Sequence, residues 1–282
     1  MNTVTLRGDP TAKHPLAATR STDDERNGVR MSSTETQAVA LRRDGTTLHV
    51  TLDRPAKLNT LRPEDIRALG AAMELDPDVR TVVFRGAGDR AFTAGMHVDS
   101  FDGLTTETAR AFISGLRDML QAVRTAPVAT ICAVDGYCLG VGFELALACD
   151  IRVASTRSSF GLPEIKVGIP SVADAALLAQ HVGLSFAKEM ILTGDLYPLR
   201  RFEASGLCNE VVEPDALDGA VSRWVARVGG HTATATASQK RLFEIWQNTT
   251  LATGTALSVS EFASVFAAEE THTQLAAYRR NL

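Results

Sequence analysis

The sequence predicts an α/β protein made of repeated strand, strand, helix units and closed by a helical C-terminal region. Three observations predict it. Short β-rich runs, such as TVVFRGAG at 81–88 and VATICAV at 128–134, each run into glycines rather than into polar loops. Segments with apolar residues at helical spacing, DIRALGAAMEL at 65–75 and ETARAFISGLRDMLQAVR at 107–124, separate those runs. Beyond about residue 172 the strand signals fade and successive stretches read as helices.

In chain order, residues 1–36 are polar, mix Arg20, Arg26 and Arg30 with Asp23, Asp24 and Glu25, and lack the apolar run of a signal peptide. They read as a disordered extension, with Met31 as an alternative start. Residues 37–200 read as the core domain and 201–282 as the helical region. QAVALRRDGTTLHVTLDRP at 37–55 carries Asp44-Gly45 between two alternating runs, the signal of a hairpin. Pro63 sits where a helix can begin, and Asp76-Pro77-Asp78 should stop it. The helical stretches 172–183, 185–194, 199–206 and 215–230 are punctuated by Gly183, Gly194, Gly206 and Gly229, and one long segment follows from Ala233 to Leu282. Trp224, Leu242, Phe243, Trp246, Phe262 and Phe266 supply its apolar anchors.

Composition narrows the function classes. The 282 residues are 45% hydrophobic, enough for a sizeable core. With 29 Lys+Arg against 33 Asp+Glu the net charge is −4, so no basic field points to nucleic acid or to an anionic membrane. Cys132, Cys138, Cys149 and Cys208 lack paired spacing and read as reduced thiols, which makes cytoplasm the expected compartment. The apolar stretch 127–149 contains Asp135, Glu144 and three glycines, and so reads as a buried core rather than a membrane span. No His, Cys and Asp cluster has metal-ligand spacing.

Chemistry concentrates in 127–164. Pro127 ends what precedes it, Val128–Val134 reads as a buried strand, and Gly136, Gly140 and Gly142 mark a tight turn. From Val141 to Cys149 the sequence VGFELALAC is apolar on every helical face except at Glu144. A carboxyl is therefore forced into the interior beside a helix N-terminus, where it must shift its pKa or find a partner. Glu164, twenty residues on, is the second such acid.

AFTAGM at 91–96, GYCLGVGFELALACD at 136–150 and FGLPEIKVGIP at 160–170 resemble the enoyl-CoA hydratase (crotonase) superfamily. LDRPAKLNTL at 52–61 and the stretch 182–212 match it in the same order, so the resemblance covers most of residues 40–212. It implies a spiral of ββα turns, topped by C-terminal helices that pack subunits into a homotrimer or a dimer of trimers. It also implies an acyl-CoA thioester as substrate, with no further cofactor.

Adding water across an α,β-unsaturated thioester makes an enolate, so fixed donors are needed where its oxygen gains charge. The resemblance assigns that oxyanion hole to the backbone N–H groups of Met96 and Val141. Many resembling proteins carry glycine where Val141 stands, so a narrower pocket is expected. Glu144 and Glu164 align with the catalytic glutamates: both hold the water, Glu144 taking its proton and Glu164 delivering one to carbon. Ala94, Gly140, Val98 and Asp99 should line the acyl pocket or its rim, while Lys57 and Leu58 fall where family members contact CoA. His97 replaces a common aspartate and is expected beside the substrate, either as a packed or hydrogen-bonding residue or as one that acts on the substrate. Near the C-terminus the family's acidic and basic pattern is reduced to Glu269, Glu270, Arg279 and Arg280.

Other readings remain beside hydration or dehydration. An enoyl-CoA isomerase could manage with the acid at Glu164, and a thioester or C–C hydrolase could share the fold. Gly136-Tyr137-Cys138-Leu139-Gly140 also has the form of a nucleophile elbow, which would need a histidine such as His181 or His231 beside Cys138. A non-catalytic binding protein would be expected to lack one of the two glutamates, and both are present.

Overall fold

The computed structural model of the chain describes residues 38–280. The extension expected at 1–36 lies outside the described residues. The expected hairpin is present: β1 (Val39–Asp44) and β2 (Thr47–Leu52) pair antiparallel, with Asp44 opposite Thr47. Helix α1 (Pro63–Ala71) follows, with proline in its first turn as predicted. It ends short of Asp76 because the chain tightens: the Met73 N–H donates to Gly70 and the Glu74 N–H to Ala71, both at 3.0 Å.

The remaining elements alternate between two sheets. Strand β3 (Thr81–Gly86) leads into β4 (Ala91–Thr93) and helix α2 (Thr106–Thr125). β5 (Ala129–Val134) leads into β6 (Tyr137–Leu139) and helix α3 (Val141–Ala148). β7 (Ile151–Ser155) then leads into β8 (Ser159–Gly161). Helices α4 (Leu178–Val182) and α5 (Leu184–Thr193) precede β9 (Tyr197–Pro198), β10 (Glu210–Val212), α6 (Leu217–Gly229), α7 (Ala233–Asn248), α8 (Leu251–Ser264) and α9 (Glu269–Arg280).

The first strand of each unit joins a six-stranded sheet of order β1-β2-β3-β5-β7-β10, and the second joins a four-stranded sheet of order β4-β6-β8-β9. Within each sheet the repeats run parallel, with Val82 opposite Thr130 and Ala133 opposite Val153 in one, and Cys138 opposite Phe160 in the other. Each turn of chain thus lies beside the last, which is the spiral of ββα units. In the first turn the second strand shrinks to a single parallel bridge, Leu61 with Met96.

Two apolar layers hold the units. On one side, Leu217, Ala220 and Val221 of α6 pack on Val83, Ile131, Ala133 and Val153 of the large sheet. On the other, Phe143 of α3 meets Phe160 of β8 at 5.1 Å, and Phe160 meets Phe202 at 5.3 Å. Fully burying a ring such as Phe143 is worth roughly 2–3 kcal/mol, so these contacts fix the position of α3, whose eight residues are all buried. Among the described residues, no single helix is long and apolar enough to cross a membrane.

The C-terminal stretches are helical but more broken than their periodicity suggests. Residues 173–177 form a 3-10 turn before α4, and 199–202 form another. The stretch from Ala233 divides into three helices, with Thr232 and Thr250 capping α7 and α8 by accepting from Ala235 and Thr253. Gly183 and Gly194 follow helix ends with φ of 80° and 64°, as expected, whereas Gly229 is the last residue inside α6.

Candidate active site

Two loops meet to make the site. The first leaves β4: a Cβ on Gly95, whose φ is 91°, would lie 3.0 Å from the Leu139 carbonyl oxygen and 3.6 Å from the Gly140 Cα. Only a residue without a side chain permits that approach. The second loop is Gly140 itself, with φ 54° and ψ −129°, which turns the chain from β6 straight into α3. What read as one glycine-rich turn therefore contains a three-residue strand, β6, between two glycine corners.

On each loop one backbone N–H is left out of the surrounding pairing. In the bridge to Leu61, the partners used are the Gly95 carbonyl (2.9 Å) and the His97 N–H (2.7 Å), so Met96 presents its own N–H to the opposite side. Val141 is the first residue of α3, where an N–H has no intrahelical acceptor and the helix dipole is positive. The two residues line one cavity.

That cavity, of about 220 Å³, has a mostly apolar wall. Of the residues singled out from the sequence, Ala94, Met96, Val98, Gly140, Val141, Glu144 and Glu164 line it. Val141 is almost fully buried and adds bulk there. Four others lie outside its wall. Lys57 is exposed on a 3-10 turn, and Leu58 (φ 52°) accepts the Ala94 N–H at 2.9 Å, which ties its backbone to the first loop. His97 is half-buried with Nδ1 3.4 Å from Asp99 Oδ2, without hydrogen-bond geometry, and Asp99 faces solvent. The sequence did not point to Phe101, Phe112, Ile113 and Leu116, which complete the apolar wall. The Phe101 and Phe112 rings meet edge to face at 5.8 Å.

The two acids differ in setting. Burial pushes the Glu144 carboxyl well up from its ordinary value and the Glu164 charge pushes the same way, opposed by the Ala175 N–H, with Asp174 adding a further upward push. Burial also raises Glu164, against the pull of the Ser171 hydroxyl, which donates to Oε2 at 2.7 Å. Two carboxyls in one apolar cavity resist ionising together, so the pair tends to keep a proton. Glu144 carries the stronger upward push. Carboxyls this close in environment and coupled by charge titrate as one pair, so the proton belongs to the pair rather than to either acid.

Cys138 is fully buried, donates weakly to the Gly142 carbonyl at 3.5 Å, and has its thiol pushed well up by burial. Among the described residues no histidine acts on it, and burial lowers the pKa of His181 to about 4. An activated thiolate needs the opposite setting, so the nucleophile-elbow reading falls. Among the described residues, no group of three or more His, Cys, Asp or Glu is arranged to hold a metal ion.

This spiral, with two acids on the wall of one cavity, defines a crotonase-type α/β protein. The model of the enoyl-CoA hydratase/isomerase family matches residues 42–281, and the chain belongs to that family. It is 35% identical over 174 residues to (E)-benzylidenesuccinyl-CoA hydratase of Thauera aromatica, covering 60% of this chain and 67% of that protein. It is 28% identical over 248 residues to short-chain-enoyl-CoA hydratase of Clostridium acetobutylicum, covering 86% and 95%. Among solved structures it resembles an enoyl-CoA hydratase from Mycobacterium smegmatis with a TM-score of 0.82 and 26% identity, covering 86% of this chain and 96% of that one.

Proposed function

We propose that this chain is an acyl-CoA hydratase, adding water to an α,β-unsaturated acyl-CoA thioester or removing it from the 3-hydroxy product. The observation that carries the reading is Glu144 and Glu164 on the wall of one cavity with Met96 and Val141. Isomerisation needs one acid to move a proton between carbons. Hydration has a use for the second, because water must lose a proton while carbon gains one.

In the forward direction the ionised carboxyl of the pair takes a proton from water as the water oxygen bonds to the β-carbon. The C=C electrons move toward the thioester carbonyl, giving an enolate whose oxygen is met by the Met96 and Val141 N–H groups. The enolate then collapses as the protonated carboxyl gives its proton to the α-carbon. Hydroxyl and hydrogen have been added, and the pair has passed its proton from one carboxyl to the other. The thioester is substrate, and no cofactor enters these steps.

The apolar wall formed by Phe101, Phe112, Ile113 and Leu116 supports an uncharged acyl group, and the tie between the Leu58 carbonyl and the Ala94 N–H supports a part for Leu58 and the neighbouring Lys57 in holding CoA. Exposed apolar side chains on the C-terminal helices, among them Leu251, Val259 and Phe262, support assembly into a trimer or a pair of trimers. A cytoplasmic location is part of the same proposal. The test is a series of 2-enoyl-CoA thioesters of varied length and branching, followed by loss of the enoyl-thioester absorbance. Turnover of at least one is expected, and inertness toward all of them and toward their 3-hydroxy products would overturn the reading.

A further inference from the structure

Between Pro170 and Leu178 the chain supplies a polar contact to each acid from one short segment. The Ser171 hydroxyl donates to Glu164 Oε2 at 2.7 Å. Four residues on, the Ala175 backbone N–H acts on the Glu144 carboxyl. Between them Ala173 takes a φ of 47°, a left-handed conformation that a residue with a Cβ holds only when its surroundings dictate it. The next residue enters an ion pair. Asp174 turns inward, 5% exposed, and Arg124 of α2 donates to its Oδ1 at 2.5 Å. Arg124 is held in turn by Glu244 of α7 at 3.3 Å.

We propose that Ser171 is a positioning residue for the acid pair, aiming Glu164 by occupying one of its oxygens on a segment that the Asp174 and Arg124 ion pair locks. The Glu164 backbone N–H also acts on the carboxyl, and the second oxygen faces the loop before α3. A Cβ on Gly140 would lie 2.7 Å from Glu164 Oε1, so that oxygen is directed at the start of α3, where Val141 and Glu144 face the cavity. A glutamate has three rotatable bonds and would otherwise sample several directions. Ser171 has no structural task that explains its hydroxyl, since the 3-10 turn that follows is headed by Val172 and has no side-chain cap. A hydroxyl donating to a carboxylate also favours the ionised form. Among the described residues, the other charged groups on the cavity wall are Glu144 on α3 and, on the turn of Glu164 itself, Lys166, which is paired at 2.7 Å with Asp195 beyond the end of α5.

The inference rests on the hydratase reading only for its turnover readout, so two measurements are needed. Ser171→Ala should lower kcat roughly tenfold, the scale of one hydrogen bond to a charged group, with KM little changed. The acidic limb of the kcat profile should move to higher pH, because the carboxylate loses a donor. Independently of turnover, a 13C NMR titration of the Glu164 carboxyl should move upward in Ser171→Ala and return in Ser171→Thr, which keeps the hydroxyl. An unmoved titration in folded Ser171→Ala, or a wild-type kcat and pH profile in an enzyme that is otherwise active, would overturn the proposal. If no thioester is turned over by the unaltered protein, the hydratase reading falls and the titration alone decides the role of Ser171.

Discussion

Arg124 reaches Asp174 at 2.5 Å and Glu244 at 3.3 Å, so a single guanidinium on α2 ties the segment beside the acid pair to the C-terminal helix α7. The Asp174 side chain is 6% exposed and that of Arg124 23%. Removing one partner of such a pair leaves an uncompensated buried charge, which costs about 3 kcal/mol at the lower end of the usual range. Arg124→Met should therefore shift the urea unfolding midpoint down by a corresponding amount. Arg124→Met with Asp174→Leu should recover most of the loss, because apolar side chains of similar volume replace buried pairs with little penalty. Unchanged stability of the single variant would show that the pair does not anchor this segment.

Val141 offers a clean test of the oxyanion hole. It is the first residue of α3, the one helical position that proline favours, and Gly140 before it tolerates the restriction that proline imposes. Val141→Pro should fold and lose only the N–H. Hydration should then fall by about 10²-fold or more, the scale of one lost oxyanion donor. Val141→Gly should keep the donor, change kcat less, and accept bulkier acyl groups. A folded proline variant with undiminished hydration would place the oxyanion hole elsewhere.

The sequence made some of this plain and hid the rest for physical reasons. Burial of Glu144 was legible because VGFELALAC has no polar face to turn outward, and every residue of α3 is indeed buried. The Asp44-Gly45 hairpin was legible because its turn chemistry is local. Strand β6 was not, since three residues are too few to show a period of two. Phe101 and Phe112 meet only because the chain between them folds back, and nothing in their spacing marks a cavity wall. Ser171 after a proline reads as an ordinary loop residue, and its contact with Glu164 depends on the 3-10 turn at 163–167 and the left-handed Gly168 that lie between them. Asp174 and Arg124 lie fifty residues apart, so their ion pair leaves no trace in local pattern.

The raised Glu144 carboxyl has a consequence for stability. A folded-state pKa above the unfolded one means that the native protein binds the proton more tightly. Stability is then lost as pH rises from the ordinary carboxylate range through the raised value, and the cost stays in full above it. Glu144→Gln removes the ionisable group and should raise the melting temperature relative to the unaltered protein at pH 8. The difference should shrink toward pH 5 and below. A variant that is equally or less stable at pH 8 would contradict the buried, strained state of this acid. Trading stability for a poised group is common at active sites.

The central claim is that Glu144 and Glu164 act together on one water and one enolate. Its most direct measurement is the hydration rate of the best enoyl-CoA thioester with Glu144→Gln, Glu164→Gln and the double variant. Each single change should lower kcat by about 10²-fold or more, and the double change should cost far less than the sum in free energy, since both acids serve one transition state. Near-wild-type hydration by either single variant would contradict the account, and loss of double-bond isomerisation in Glu164→Gln alone, with Glu144→Gln still active, would make the protein an isomerase instead.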